Sequence, residues 1–277
     1  MSIGPHRLEY EVIEGWERLP EGWSFVEVAG VAVDAAERVY VFCRGEHPVI
    51  VFDKEGRFLS AWGVGVFARP HGIFIDPAQR VHCVDCDDHT IRTFTTDGTL
   101  LETLGEPHVA SQTGFAVGAS PVQHGAGPFN MVTNVVVLPD GSKVVTDGYG
   151  NARVHRFAPD GTLAASWGEP GSGPGQFNLP HGLAVDRAGR IYVADRENSR
   201  VQIFSPAGEY LDEWGWVGRP CDVFIDAQDR VYIAELGFRV ANRSPVHFRF
   251  MERPPPGHDP IARVTVCDPD GEIITRI

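Results

Sequence analysis

Two histidines share a setting. His71 lies in Arg69-Pro70-His71-Gly72 and His181 in Leu179-Pro180-His181-Gly182, each between a proline and a glycine. Cys221 stands in the matching place of Arg219-Pro220-Cys221-Asp222. Neutral imidazole and thiolate are zinc ligands, and a site with three protein ligands leaves a position open for water or substrate. A lone histidine is more often structural, and a small cysteine more often packs in a core. The repeated setting is what raises these residues above that ordinary role. Cys83 and Cys86 are spaced like half a zinc site, but there is no second CxxC. Their run, RVHCVDC, reads as a strand, where residues three apart point to opposite faces. Other familiar chemistries are absent. There is no G-x-S-x-G elbow, no HExxH and no Walker loop, and the glycine-rich GEPGSGPG run from Gly168 lacks the Lys-Ser/Thr of a phosphate loop.

Elements that could bring such residues together recur along the chain. One unit reads GVAVD from Gly30, RVYVF from Arg38, VIVFD from Val49, then Glu55-Gly56 and Trp62-Gly63. The second has GIFID, RVHCVD, TIRTF, Asp97-Gly98 and Leu104-Gly105. The third has NVVVL, KVVTD, ARVHRF, Asp160-Gly161 and Trp167-Gly168. The fourth has GLAVD, RIYVAD, SRVQIF, Ala207-Gly208 and Trp214-Gly215. The fifth has DVFID, RVYIAE, ARVTVC and Asp270-Gly271. A period near 40 residues, with four short Val/Ile/Phe-rich strands and Asp-Gly turns in each unit, is the pattern of propeller blades. The first two strands of each unit are nearly continuous in apolar residues, as expected of strands covered on both faces by neighbouring blades. No amphipathic helix supports a parallel α/β alternative. The chain therefore reads as one all-β domain over 1–277. It has an N-terminal arm over 1–27 and blades near 28–63, 69–105, 130–168, 178–215 and 219–277. Two insertions interrupt the period: Glu106 to Phe129, rich in Gly, Ala and Pro, and Gly237 to Pro260, which holds Pro254-Pro255-Pro256. Long insertions are either functional loops or tolerated surface excursions.

Composition narrows the function classes. The formal net charge is −13, from 37 acidic against 24 basic residues. Such a chain has no general attraction for nucleic acid or anionic lipid. No run approaches the roughly 18 apolar residues of a membrane helix, and MSIGPHRLEYEVIEGW has no apolar core of a secretory signal. Five widely spaced cysteines argue against a disulfide framework. A cytoplasmic location is the expectation.

The repeats resemble the NHL family. Over nearly the whole chain they are similar to bacterial proteins related to peptidyl-α-hydroxyglycine α-amidating lyase. The resemblance is carried by VAGVAVD (from Val28), FCRGEH (from Phe42), RPHGI (from Arg69), DGYGN (from Asp147), LPHGL (from Leu179) and ADREN (from Ala194). It implies a six-bladed β-propeller with its site at the central channel. In that family a zinc is held by three histidines, of which His71 and His181 match two. It also implies a structural calcium held largely by backbone carbonyls, with Val31 and Ile73 at the matching positions. Carbonyl oxygens suit a hard cation. Tyr149 matches the family's catalytic tyrosine, and Arg44 and Arg196 match its two site arginines. The implied reaction splits an α-hydroxyglycine unit into an amide and glyoxylate. Tyr149 would take the hydroxyl proton, more easily if metal and arginine charge lower its pKa, and an arginine would grip the carboxylate.

The chain departs from the family in one large respect. Only five full repeats are recognisable, so the blade that carries the third histidine, in a Pro-His-Asp string, is not found. The ring would then close with five blades, remain incomplete, or be completed by another chain, and an incomplete ring predicts self-association through its apolar faces. In a five-bladed ring Cys221 would be a candidate third ligand. The expected partner is a small-molecule or peptide substrate. The alternatives to a metal-dependent lyase are a non-catalytic propeller binding a protein or small ligand, and a lactonase-like metal hydrolase.

Overall fold

The computed structural model describes residues 8–118, 120–238 and 261–277. Each repeat forms one four-stranded antiparallel sheet in chain order. The first holds β1 (Val28–Val33), β2 (Val39–Cys43), β3 (Val49–Phe52) and β4 (Phe58–Trp62). The second holds β5 (Pro70–Ile75), β6 (Val81–Asp85), β7 (Thr90–Phe94) and β8 (Leu100–Leu104). The third holds β9 (Val132–Val137), β10 (Lys143–Asp147), β11 (Arg153–Phe157) and β12 (Leu163–Trp167). The fourth holds β13 (Pro180–Val185), β14 (Ile191–Asp195), β15 (Arg200–Phe204) and β16 (Tyr210–Trp214). The fifth holds β17 (Pro220–Ile225), β18 (Val231–Glu235), β19 (Arg263–Cys267) and β20 (Ile273–Arg276).

The six-bladed ring implied by the family resemblance is corrected here: the described residues form five blades. The innermost strands β1, β5, β9, β13 and β17 pack on one another in that order. Side chains on β5, β9 and β13 are buried or half-buried. The first and last inner strands differ, since Val31 and Val33 on β1 are 55% and 56% exposed and Phe224 on β17 is 63% exposed. The far face of the first blade is partly covered by the N-terminal arm. Trp16, Leu19, Trp23 and Phe25 of the arm pack on Val41, Cys43, Ile50 and Phe52. Farther back along the arm, the Tyr10 hydroxyl bonds the Tyr232 hydroxyl of the fifth blade at 3.1 Å.

Two repeated devices explain why these residues build blades. In the turn joining the first two strands, Asp34, Asp76, Asp186 and Asp226 each accept hydrogen bonds from the backbone N–H and Nε of the arginine four residues on. Each also meets the ring of the residue six on, which is Tyr40, His82, Tyr192 or Tyr232. One carboxylate thereby closes the turn and ties it to the second strand. The other device links neighbouring blades. Gly98 has φ +88°, and a Cβ there would lie 2.7 Å from the ring of Trp62 in the preceding blade. Gly208 meets Trp167, and Gly271 meets Trp214, in the same way. The repeated Asp-Gly and Trp-Gly pairs are two sides of one contact: the turn needs a left-handed residue, and the tryptophan needs a neighbour without a side chain.

Candidate functional site

Equivalent residues at the starts of inner strands converge where the blades meet. His71 on β5 is 5% exposed, while His181 on β13 is partly open to the channel. Their ring centroids are 4.7 Å apart. His71 Nδ1 lies 2.7 Å from the Thr133 carbonyl, and His181 Nδ1 lies 2.7 Å from the Cys221 carbonyl. A carbonyl can only accept, so both Nδ1 atoms carry the proton and both Nε2 atoms present a lone pair. That is the tautomer of a metal-binding histidine held by an outer partner.

Both Nε2 atoms point at one oxygen. Tyr149 Oη is 3.2 Å from Nε2 of His71 and 3.1 Å from Nε2 of His181. Arg196 Nη1 donates to the same oxygen at 3.4 Å, with its guanidinium 5.4 Å from the centre of the Tyr149 ring. The single phenol proton can serve only one of two imidazole lone pairs. The other has an oxygen opposite it that offers it no proton, a geometry that a cation or an added proton would relieve.

Burial and the nearby arginines decide the charge states. Burial, followed by the positive charges of Arg44, Arg196 and Arg69, pushes His71 down to about 3. His181 is held well below the usual histidine range by burial, then by Arg196 and His71. Both are neutral at neutral pH. Tyr149 is pushed up, because burial outweighs the charge of Arg196. Burial thus works against the arginine charge, which by itself makes the phenol more acidic. The sequence shows an arginine nearby but not how dry the phenol is. Cys221 has a thiol pushed up to about 11, chiefly by burial. Its thiol is therefore protonated, and its backbone carbonyl is what orients His181.

The remaining predicted residues are dispersed. Arg44 donates from Nε to the Pro70 carbonyl at 3.0 Å and pairs with Glu27 at 3.0 Å, so it borders the same end of the channel. Val31 and Ile73 lie on neighbouring inner strands, where Gly30 approaches Ile73 and the His71 carbonyl. Cys83 and Cys86 are fully buried in separate clusters. Among the described residues no group of three or more His, Cys, Asp or Glu side chains is arranged to hold a metal. The histidine pair is thus a two-ligand set, with Tyr149 Oη within 3.2 Å of both Nε2 atoms.

Several features of the site escaped the sequence reading. Glu197 lies beneath Arg196, bonded to it at 2.9 Å and to Arg219 at 2.8 Å. Arg69 shares the pre-proline position of Arg219, which was a usable signal. Asn134 Nδ2 bonds the Asp222 carboxylate at 3.1 Å across the channel, one residue deeper than the histidines. Met131, Leu179 and Arg219 all have positive φ at the entry to their inner strands. Nothing in their residue types announces that, because these side chains ordinarily avoid the left-handed region.

Comparison with known proteins agrees with this architecture. A family model for the NHL repeat matches residues 177–204. The chain is a β-propeller that carries an NHL repeat. It is 33% identical over 226 residues to NHL repeat-containing protein 3 of Homo sapiens, covering 77% of this chain and 62% of that protein. It is 46% identical over 82 residues to peptidylglycine alpha-amidating monooxygenase of Rattus norvegicus, covering 27% of this chain and 8% of that protein. The chain thus spans less than two thirds of the length of these relatives. A solved gluconolactonase from Xanthomonas campestris superposes with a TM-score of 0.58 at 17% identity, covering 90% of this chain and 75% of that one. At that identity the likeness concerns the fold alone.

Proposed function

We propose that this propeller is a carbon–nitrogen lyase that releases glyoxylate and an amide from an α-hydroxyglycine-type substrate. The observation that carries the reading is the placement of one buried phenol oxygen between two neutral imidazoles, with a guanidinium beside it. The local identity to an amidating monooxygenase supports it.

A raised phenol pKa makes Tyr149 a proton carrier rather than a standing base. It accepts the substrate hydroxyl proton at Oη while giving its own proton to the departing amide nitrogen. The carbon–nitrogen pair moves to nitrogen, a lone pair on the former hydroxyl oxygen closes the new carbonyl, and the tyrosine ends as it began. Arg196 holds Oη in place, and Arg44 supplies a charge for the substrate carboxylate at the channel end. His71 and His181, with Nδ1 bonded to a carbonyl and Nε2 unprotonated beside Tyr149 Oη, are the residues that would hold zinc. Zinc bound there supplies Lewis acidity toward a substrate oxygen. The calcium implied by the resemblance would fall to the carbonyls of Val31 and Ile73.

The test is glyoxylate release from benzoyl-α-hydroxyglycine, with metal content measured by mass spectrometry on protein purified without chelator. About one zinc per chain in the wild type, lost with glyoxylate release in His71→Ala, is the expected result. A wild type that releases no glyoxylate with or without added zinc overturns the reading.

A further inference from the structure

A cleft of about 910 Å³ is lined by Tyr149 and by neither histidine. One wall is the connection between the second and third blades, where Phe115 and Val122 face the cleft, and the other holds Phe177 and Leu179. Phe115 packs with Tyr149, Leu179, Met131 and Cys86, so this wall is continuous with the reacting centre. Val122 packs against the cluster that contains Phe177.

The loop that forms the wall is fixed from several sides. Thr113 Oγ1 donates to the Gly150 carbonyl at 2.6 Å, and Asn130 Nδ2 to the Ser111 carbonyl at 2.9 Å. Asn151 Nδ2 bonds the Ala126 carbonyl at 3.1 Å, and Gly125 N–H bonds Glu169 at 2.8 Å. A cleft bounded by such a loop is preformed, as ligand sites usually are. Its charge balance is informative in so acidic a chain. Among the described residues that line it Glu197 alone is charged, and that carboxylate is committed to Arg196 and Arg219. The other polar groups at the rim are neutral amides and hydroxyls. A charged group entering this cleft would give up hydration without a counter-charge, whereas an apolar chain would gain from burial.

We infer that this cleft takes the acyl side of the substrate, and that the preferred acyl group is uncharged and apolar. The inference rests on the lyase reading for the orientation of the ligand, with the hydroxyglycine carbon at Tyr149.

The cleft is testable without turnover. N-acetylglycine, N-hexanoylglycine and N-glutarylglycine lack the hydroxyl and can be titrated calorimetrically into the full chain. The hexanoyl compound should bind about tenfold or more tighter than the acetyl compound, below the roughly 200-fold that four fully buried methylenes would give. The glutaryl compound, of similar length but charged at its far end, should bind no tighter than acetyl. In Val122→Asp the hexanoyl advantage should fall to within about threefold of acetyl, since the wall now carries an unpaired charge. Equal affinities for the three probes, or no measurable heat with any of them, overturn the inference. If Val122→Asp does not fold, by circular dichroism, the ranking in the wild type still decides. The two readings fail separately. Glyoxylate release with no acyl preference removes the cleft assignment alone, while acyl preference without any glyoxylate release from the hydroxylated compounds removes the lyase alone.

Discussion

Glu197 offers the sharpest test of how the site is held. Its carboxylate bridges the guanidinium groups of Arg196 and Arg219, and the three residues are 8%, 6% and 7% exposed. Burial alone would push this carboxyl up. The two arginines outweigh it and hold the group below the usual carboxylate range, so it is charged at neutral pH. Glu197→Gln keeps the volume and one acceptor oxygen, removes the charge, and turns an N–H donor toward a donor. Removing one partner of a buried ion pair costs about 3–5 kcal/mol, and the retained acceptor places this change near the lower end. For a domain of this size each kcal/mol shifts the melting temperature by about 2–4 °C, so a loss of about 6–12 °C is expected. Thermal melts by circular dichroism measure it. The double variant Glu197→Gln with Arg219→Met should lose less than the sum of the two single changes, because the second removes a charge that the first left unpaired. Glyoxylate release should fall in kcat more than it rises in KM, since the Glu197 carboxylate, although it borders the cleft, is committed to Arg196 and Arg219 and acts by positioning Arg196 over Tyr149. A melting temperature within about 2 °C of wild type would refute the claim that a buried, fully charged bridge fixes Arg196.

Tyr149→Phe keeps the ring packing but removes the shuttled proton. Single-turnover glyoxylate release should slow by about 10²–10⁴-fold, with the fold unchanged by circular dichroism. Gly148→Ala places a Cβ on the Pro180 carbonyl, where there is no space for it. A melting temperature several degrees lower, together with weakened activity through the displaced Tyr149, is expected. Asp76, one of the turn aspartates, contributes stability that depends on acid pH. Burial raises Asp76, but His82 and then Arg80 outweigh it, and its carboxyl sits below the ordinary 3.8. The folded state therefore binds fewer protons than the unfolded chain near that pH. The stabilisation is present above 3.8 and is lost as pH falls through the lower folded value. Denaturant melts of wild type and Asp76→Asn between pH 2.5 and 5 should show a shallower pH slope in the variant, and equal slopes would contradict the assignment.

Much of the blade was readable in advance because each blade repeats the same local problem. Asp34, Asp76, Asp186 and Asp226 mark one turn, and the glycines at 98, 208 and 271 mark another. Both are solved within a few residues or against the next copy. The convergence of His71 and His181 followed from their shared place in the repeat, and Tyr149 from the resemblance. The five blades could be counted in the repeats, and the sixth came from the resemblance alone; how the first and last units meet did not follow, since the repeated residues describe only how a unit meets its neighbour. The burial of Tyr149 was hidden as well, because Phe115, Met131 and Leu179 come from three distant segments. The Phe115 wall lies in a stretch without periodicity, where no pattern links the residues to a partner.

Each blade is made of four consecutive strands, and among the described residues no sheet borrows a strand from another blade. Mechanically this is a stacked row bent into an arc, coupled mainly between neighbours and by a few polar links across the channel, rather than a hoop whose ends are sewn into one sheet. Cooperativity should then decay outward. The third blade, flanked on both sides and carrying Tyr149 just beyond its second strand, belongs to the last unit to open. The first blade can exchange its amide protons in partial openings that leave the histidine–tyrosine centre intact, whereas opening the fifth would release the Cys221 carbonyl that orients His181.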